Sequence, residues 1–318
     1  MKLLDFNRIF PDEASCEEYL RALREQEGLV CPHCGGTRHH WDKYNKRWLC
    51  ASCKHVITLR SGTLFQSSKL PLMYWFTAIH LLISTKKTFS VLEIQRQLGH
   101  KRYQPIWEMV HKIRSVMGQR DSRYKLSGVA ELDEAHFTTE DEREEDEPLK
   151  RGNGSQGKTK VLVMVESEPV DVPGKGKEDR KAGHLRMVVI DNLKADTVKE
   201  AVNDICEKES IEVIMDASTA HVKVSEVVDK AEARAVKPKE GHKVLPWVHT
   251  AISNAKAVLT DMYHGIKREF LQLYLDEFCY KFNRRYFGER LFERLMIAAV
   301  CTKPSFDHRL YGSTPYCG

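Results

Sequence analysis

Between Gly241 and Thr260 the chain has no aspartate or glutamate, although 30% of its 318 residues are charged. The gap contains WVHTAISNAKAVL, which reads as the start of a helix and presents Asn254 and Lys256 where an acid would be sought. Long apolar runs are missing as well. The longest mostly apolar stretch, Pro71 to Ile83, is interrupted by His80 and falls short of the roughly 20 residues that a bilayer demands. No membrane partner is expected. The opening residues MKLLDFNRIF include Asp5 and no small-residue cleavage site, so a secretory leader is not expected and the chain reads as cytoplasmic. No internal repeat is present. What remains is a globular chain long enough for two or three domains, each with its own core.

A disulfide pattern is also absent, although there are nine cysteines. Cys31, Cys34, Cys50 and Cys53 form two Cys-x-x-Cys pairs, while Cys16, Cys206, Cys279, Cys301 and Cys317 are scattered. Paired thiols in a reducing compartment point to metal. The segment CPHCGGTRHHWDKYNKRWLCASC separates its two knuckles by fifteen residues, a length that suits a small β-hairpin. Each knuckle lets two thiolates meet one tetrahedral ion, which predicts a closed, structural zinc site made of four cysteines. His33, His39, His40 and His55 lie nearby, but four thiolates already fill the shell. Lys46 and Arg47, with Lys43, Trp48 and Lys54, make the hairpin basic and aromatic, which suits phosphate contact.

Net charge is +5, unevenly spread. Residues 1–127 hold 21 Lys and Arg against 11 Asp and Glu, and the remainder 29 against 34. A basic front joined to a mildly acidic back suits a nucleic-acid-binding module ahead of something else; chance asymmetry is the other reading.

Residues 1–28 read as a helical lead, with Tyr19, Leu20 and Leu23 along one side and Asp12 or Ser15 as cap. Residues 29–68 hold the cysteine module. Residues 69–126 read as helical. Pro71 suits the first turn of a buried helix over 70–85. Ser90 and Glu93 make a capping box, Gly99 a stop, and Ile106, Val110, Ile113 and Met117 a second helical stripe. This is either a helix-turn-helix or a plain helical hairpin. In the first case Lys101, Arg102, Tyr103 and Gln104, at the entrance to the second helix, face bases and phosphates.

From about Val129 the texture becomes mixed α/β. VAELDEAHF, KTKVLVMVES, LRMVVID and IEVIMDAS read as strands. TVKEAVNDICEKE, Val222 to Ala235 and Leu271 to Phe287 read as helices. TTEDEREEDE, Thr138 to Glu147, carries seven acids and one Arg and reads as a solvated loop. GNGSQG, Gly152 to Gly157, matches a dinucleotide fingerprint only formally, because it precedes a strand instead of joining strand to helix. Asp133 lies within the first strand and Asp216 ends the fourth. A carboxylate buried without a partner is costly. Two readings account for the pair: ligands for divalent metal in phosphoryl chemistry, or strand-end acids hydrogen-bonded to backbone. Glu134 points to the opposite strand face from Asp133 and reads as a poor ligand, while His136 is expected on the face of Asp133.

The zinc module running into LRSGTLFQSSKLPLMYWFTAIHLL, then ELDEAHF, GNGSQGKTKVLVMVE, HTAISNAK and YLDEFCYKFNRR, resembles bacterial insertion-sequence transposases with an N-terminal zinc ribbon before a DDE-type catalytic domain, the ISXO-like group. The likeness covers about residues 15–290. It implies a ribonuclease H-like fold over residues 127–290, preceded by the zinc ribbon and helix-turn-helix region and followed by a tail at 291–318. It also implies Asp133, Asp216 and Asn254 as ligands of Mg2+ or Mn2+, with Lys256 as a charge partner, and cleavage and transfer of strands of double-stranded DNA by a homo-oligomer in a nucleoid-associated synaptic complex. Positions two apart on a helix do not share a face, so Asn254 and Lys256 serve one site only if the helix begins near them or Lys256 reaches round. His249, just before them, reads either as a contact to phosphate or ligand carboxylate, or as a structural histidine. Two stretches depart from the group's pattern: the acidic run at 140–147, and ASTAH after Asp216. Two other classes stay open, a non-catalytic DNA-binding regulator derived from a transposase and a zinc-dependent protein-interaction module.

Overall fold

The computed structural model describes residues 1–140, 157–170, 179–234, 244–263 and 265–306, in two compact units. Most of the acidic run and of the GNGSQG segment, and the tail beyond residue 306, lie outside the described residues.

The first unit comprises residues 1–120 together with the chain from Tyr286 onward. The lead is two helices, α1 (Leu3–Ile9) and α2 (Glu13–Glu27). Asp12 caps α2 by accepting the Ser15 N–H at 2.8 Å, and Ser15 returns the bond, so both candidate caps act together. A three-stranded antiparallel sheet follows, β1 (His39–Asp42), β2 (Arg47–Cys50) and β3 (Val56–Thr58). Trp41 opposes Trp48 across β1 and β2, with ring centroids 4.7 Å apart. Arg24 of α2 donates to the carbonyls of Thr58, Leu59 and Ser61, which ties the helix to the end of this sheet.

Helix α3 (Leu72–Ser84) begins after Pro71, and its free N–H groups at Leu72 and Met73 donate to the Glu13 carboxylate at 2.7 and 2.9 Å. Helices α4 (Val91–Leu98) and α5 (Tyr103–Asp121) are the predicted pair. Ser90 caps α4, and Gly99 at φ +62 ends it in the left-handed conformation that disfavours other residues. Residues 291–318, expected as a tail, begin instead with a buried helix, α9 (Leu291–Cys301), which packs against α2 and α3. Its Phe292 ring meets Phe6, Phe10 and Phe76.

The second unit comprises residues 121–285. Its strands are β4 (Leu126–Thr138), β5 (Lys158–Pro169), β6 (Arg180–Ile190), β7 (Cys206–Asp216) and β8 (Lys230–Arg234), in the order β6-β5-β4-β7-β8. The first three pair antiparallel, and β7 runs parallel to both β4 and β8. Three antiparallel strands joined to two parallel ones in this order make a ribonuclease H-like sheet. Helix α6 (Ala195–Ile205) covers one face through Val198, Val202 and Ile205. Helices α7 (Pro246–Met262) and α8 (Leu271–Asn283) cover the other through Val248, Ala255, Leu271 and Leu275.

Where a helix is expected over Val222 to Ala235, the described residues form one short 3-10 turn, Val224–Glu226, followed by β8. Val224, Val227 and Val228 have helical spacing, yet they bury themselves from this stretch, and Lys230–Arg234 extends the sheet beside β7. The YLDEFCYKFNRR segment proves to be an edge cover. Gln272 accepts the Val189 N–H at 2.8 Å and donates to the Met187 carbonyl at 3.0 Å. Asn283 does the same for Leu185 at 2.7 and 3.0 Å. Side-chain amides of α8 thus satisfy the outer edge of β6, where a further strand would otherwise dock. Arg284 and Asn283 then clasp the buried Asp121 at 2.5 and 2.9 Å.

Candidate functional site

The ribbon end carries four thiols on two knuckles. Cys31 and Cys34 precede β1, and Cys50 and Cys53 close β2. Gly35 and Lys54 turn the knuckles at φ +70 and +60. The four Sγ atoms lie within 4.8 Å of one another, with Cys31–Cys53 and Cys34–Cys50 both at 3.5 Å. Four thiolates about 2.3 Å from a tetrahedral zinc would stand about 3.8 Å apart, so the cluster fits that ion. Gly36 packs closely here, since a Cβ would meet the sulfurs of Cys34 and Cys50 at 3.3 and 3.4 Å.

The predicted phosphate contacts divide into two groups. Lys46 is ion-paired to Glu17, and Arg47 to Asp42 at 3.5 Å; both belong to acids of their own unit. Lys101, Arg102, Tyr103 and Gln104 are exposed on the α4–α5 turn. Lys101, Arg102 and Gln104 border a cavity of about 1210 Å3 that also takes in Lys69, Tyr74 and Lys112. The His100 ring contacts the Arg102 carbonyl at 2.8 Å and helps hold that turn.

In the second unit Asp133 and Asp216 stand on neighbouring parallel strands. Leu132 pairs with Met215, so the two aspartates occupy the next position on β4 and β7. Asp133 accepts the Glu134 N–H at 2.8 Å, and its other oxygen is 3.4 Å from Nδ1 of His249. Burial pushes the Asp133 carboxyl up, and the charges of Glu134 and Asp216 add to that shift, against the pull of the Glu134 N–H and His249. Asp216 accepts the Ser218 N–H at 3.2 Å and lies 2.9 Å from Nδ1 of His221.

Helix α7 is fixed from β4. Glu131, two residues before Asp133 and on the same face, accepts the N–H groups of Trp247 and Val248 at 2.8 and 2.9 Å. This seats His249 on Asp133. Lys256, seven residues on, lies about 20° from His249 around the helix, whereas Asn254 lies about 140° away. Accordingly Lys256 Nζ sits over the Phe137 ring of β4 at 5.8 Å, and Asn254 is exposed. The structure therefore brings Asp133, Asp216, His249 and Lys256 to one region and leaves Asn254 on the other flank of α7. His136, expected on the face of Asp133, lies three residues beyond it on β4 and so stands on the opposite face, with Glu134. Burial lowers its ring, and Lys160, Lys158 and Lys256 add to that.

Glu134, read from sequence as a poor ligand, has close neighbours on its own face. It does face away from Asp133, but the turn after β7 brings His221 to it at 3.1 Å, and with Asp216 the three form a cluster. Burial pulls the His221 ring down, yet the carboxylates of Glu134 and Asp216 outweigh it and the net shift is upward. Sequence reasoning missed Glu131 and His221. Glu131 had a signal in its period-two spacing from Asp133; His221 had none beyond following Asp216 by five residues.

No helix among the described residues is long and apolar enough to cross a membrane. Residues 125–283 match the model of the ISXO2-like transposase domain, and residues 11–56 that of the transposase zinc-ribbon domain. The chain is similar to an uncharacterised protein in transposable element ISH50 of Halobacterium salinarum, 24% identical over 169 residues. That match covers 50% of this chain and 55% of the relative, so the chain spans little more than half of it. Among solved structures, a pre-cleavage Mos1 transpososome aligns with 12% identity and a TM-score of 0.30, covering 76% of this chain and 82% of that one. A Mos1 transposase paired-end complex with the left transposon end gives 12%, 0.30, 74% and 82%. These structural scores are too low to carry an argument.

Proposed function

The chain belongs to the ISXO2-like transposase family, and on that premise we propose that it is a DNA transposase that cuts and rejoins strands with the help of divalent cations. The observation that carries this reading is the placement of Asp133 and Asp216 on adjoining parallel strands, with His249 of α7 against Asp133. Two partly buried carboxylates side by side repel unless something positive joins them. Hard oxygen donors of this kind fit Mg2+ or Mn2+, with Asp133 and Asp216 holding the ion. When bound, the ion supplies Lewis acidity at a phosphate and lowers the pKa of a water.

The protein's own groups do the rest. Glu131 fixes the start of α7, so that His249 orients Asp133. Lys256, on the same flank, is the cation available to a scissile or flanking phosphate. Asn254 faces outward, and in this reading meets DNA or a second subunit of a homo-oligomeric synaptic assembly. The four cysteines hold zinc and shape the ribbon. Lys101, Arg102 and Gln104, with Lys69 and Lys112 around the same cavity, and the exposed Tyr103 beside them form the DNA-contacting surface. Lys46 and Arg47 contribute only if they exchange Glu17 and Asp42 for phosphate.

Asp133→Ala and Asp216→Ala should each abolish Mg2+-dependent cleavage of element-end DNA while leaving DNA binding intact. An Asp216→Ala protein that cuts at the normal rate sinks the catalytic reading. The outward placement of Asn254 favours a second reading, a DNA-binding regulator without catalysis. Wild-type protein that binds element ends but never cuts them in Mg2+ or Mn2+ would establish that instead.

A further inference from the structure

Where β7 ends, Glu134, Asp216 and His221 each offer one ligand atom within 4.8 Å of the others. They come from the middle of β4, the last residue of β7 and the turn that follows. The His221 side chain is 1% exposed, Glu134 11% and Asp216 37%. Nε2 of His221 comes to 3.1 Å from Oε1 of Glu134, yet both atoms are buried and neither has a hydrogen-bond partner among the described residues. The approach is close without the alignment of a hydrogen bond. Two neighbouring ligands of one ion show this spacing: bonds of about 2.1 Å at right angles put the donor atoms about 3.0 Å apart.

We propose that Glu134, Asp216 and His221 form a divalent-cation site that selects a first-row ion such as Mn2+ over Mg2+. The proposal deepens the cleavage reading and rests on its placement of Asp216 in the reaction centre. It answers the missing acid of α7 by drawing ligands from the sheet and the turn after β7. Selectivity follows from the donor set. Mg2+ favours all-oxygen surroundings with several waters, whereas an imidazole nitrogen favours transition ions. A buried carboxylate such as Glu134 also demands a positive partner, and the ion supplies it in place of a ring proton. Asp216, the most exposed of the three, is the edge through which an ion enters. It is also the group shared with Asp133, so the site adjoins the proposed cleavage centre.

The test is titration of full-length, zinc-loaded protein with Mn2+ in the absence of DNA, read by electron paramagnetic resonance, with pulsed measurements for nitrogen coupling. The bound ion should show coupling to one directly bound imidazole nitrogen. That coupling should persist in His249→Asn and vanish in His221→Asn. Glu134→Gln should weaken Mn2+ binding about tenfold, the scale on which metal-site side chains act, and Mg2+ should displace Mn2+ poorly from the wild type. Absence of nitrogen coupling in the wild type overturns the proposal. So does coupling that survives in His221→Asn, or that disappears in His249→Asn instead. Should His221→Asn fail to fold, Glu134→Gln decides, and an unchanged Mn2+ affinity overturns the site. None of these readouts needs DNA cutting. An Asp133→Ala protein that still cuts DNA would end the cleavage reading and leave the nitrogen-coupled ion in place.

Discussion

The carboxylate of Glu131 receives the backbone N–H of Val248 at 2.9 Å across 117 residues of sequence. With Trp247 as second donor, a buried strand residue serves as the N-terminal cap of the helix that carries His249 and Lys256. Such a carboxylate satisfies helix N–H groups that have no partner within the helix and opposes its dipole. Glu131→Gln keeps an accepting oxygen and loses the charge, so it should cost about 1 kcal/mol. Glu131→Ala strands two N–H groups in a largely buried place and should cost about 2–4 kcal/mol. Urea unfolding of the two variants checks the order. An alanine variant as stable as the wild type removes Glu131 from this role.

The same anchoring decides which α7 residues matter to the site. His249 meets Asp133, and Lys256 shares its flank, while Asn254 does not. His249→Asn should lower metal-dependent cleavage by about 10- to 100-fold, as the loss of a partner to a metal-binding carboxylate does. Asn254→Ala, at an exposed position, should change stability by less than about 0.5 kcal/mol and leave Mg2+ dependence as it is. Cleavage assays over a Mg2+ series separate the two. Loss of Mg2+ affinity in Asn254→Ala, with His249→Asn unaffected, would restore Asn254 as the ligand and mean that α7 turns when DNA binds.

What was legible in sequence was what short range dictates. Cys-x-x-Cys knuckles are local, so the ribbon and its ligand set could be read directly. Alternating apolar runs marked the strands, and a charge inside such a run marked Asp133. The edge strand β8 was hidden because Lys230, Glu232 and Arg234 leave only Ala231 and Ala233 as apolar positions while Val224, Val227 and Val228 before it imitate a helix. The surroundings of Glu134 were hidden because strand period gives direction but not the neighbour. His221 reaches it only through the turn after β7. The destination of α9 was equally invisible: its apolar face is plain in sequence, but the partner helices α2 and α3 lie more than two hundred residues earlier.

Zinc removal gives a third expectation. The thiol cluster closes a sheet of only three short strands, and a module of that size depends on its metal for folding. Trp48 is buried in it, with its indole N–H on Glu25 at 3.1 Å. A strong chelator, or Cys50→Ser, should release one zinc per chain, shift tryptophan emission to the red and weaken DNA binding. Full DNA affinity after verified zinc loss would separate the ribbon from DNA recognition.

Stability should also depend on pH through Asp276 of α8. Burial pushes its carboxyl up from 3.8 to about 7, with Gln272 donating to it at 2.8 Å and opposing the shift. The folded protein therefore holds this proton more tightly than the unfolded chain does. The resulting stabilisation is complete below about pH 4 and is lost as pH rises through about 7. Three units would be worth about 4 kcal/mol, but part of the side chain still meets water, so about 1–2 kcal/mol is the expected loss. Asp276→Asn mimics the protonated form and keeps the Gln272 contact, so the same edge of β6 stays covered. Its stability should match the wild type near pH 4 and exceed it near pH 8, as measured by urea unfolding at both values. A wild type and an Asp276→Asn variant that run parallel from pH 4 to pH 8 would show that Asp276 ionises freely, and that the Gln272 ladder over β6 does not depend on its proton.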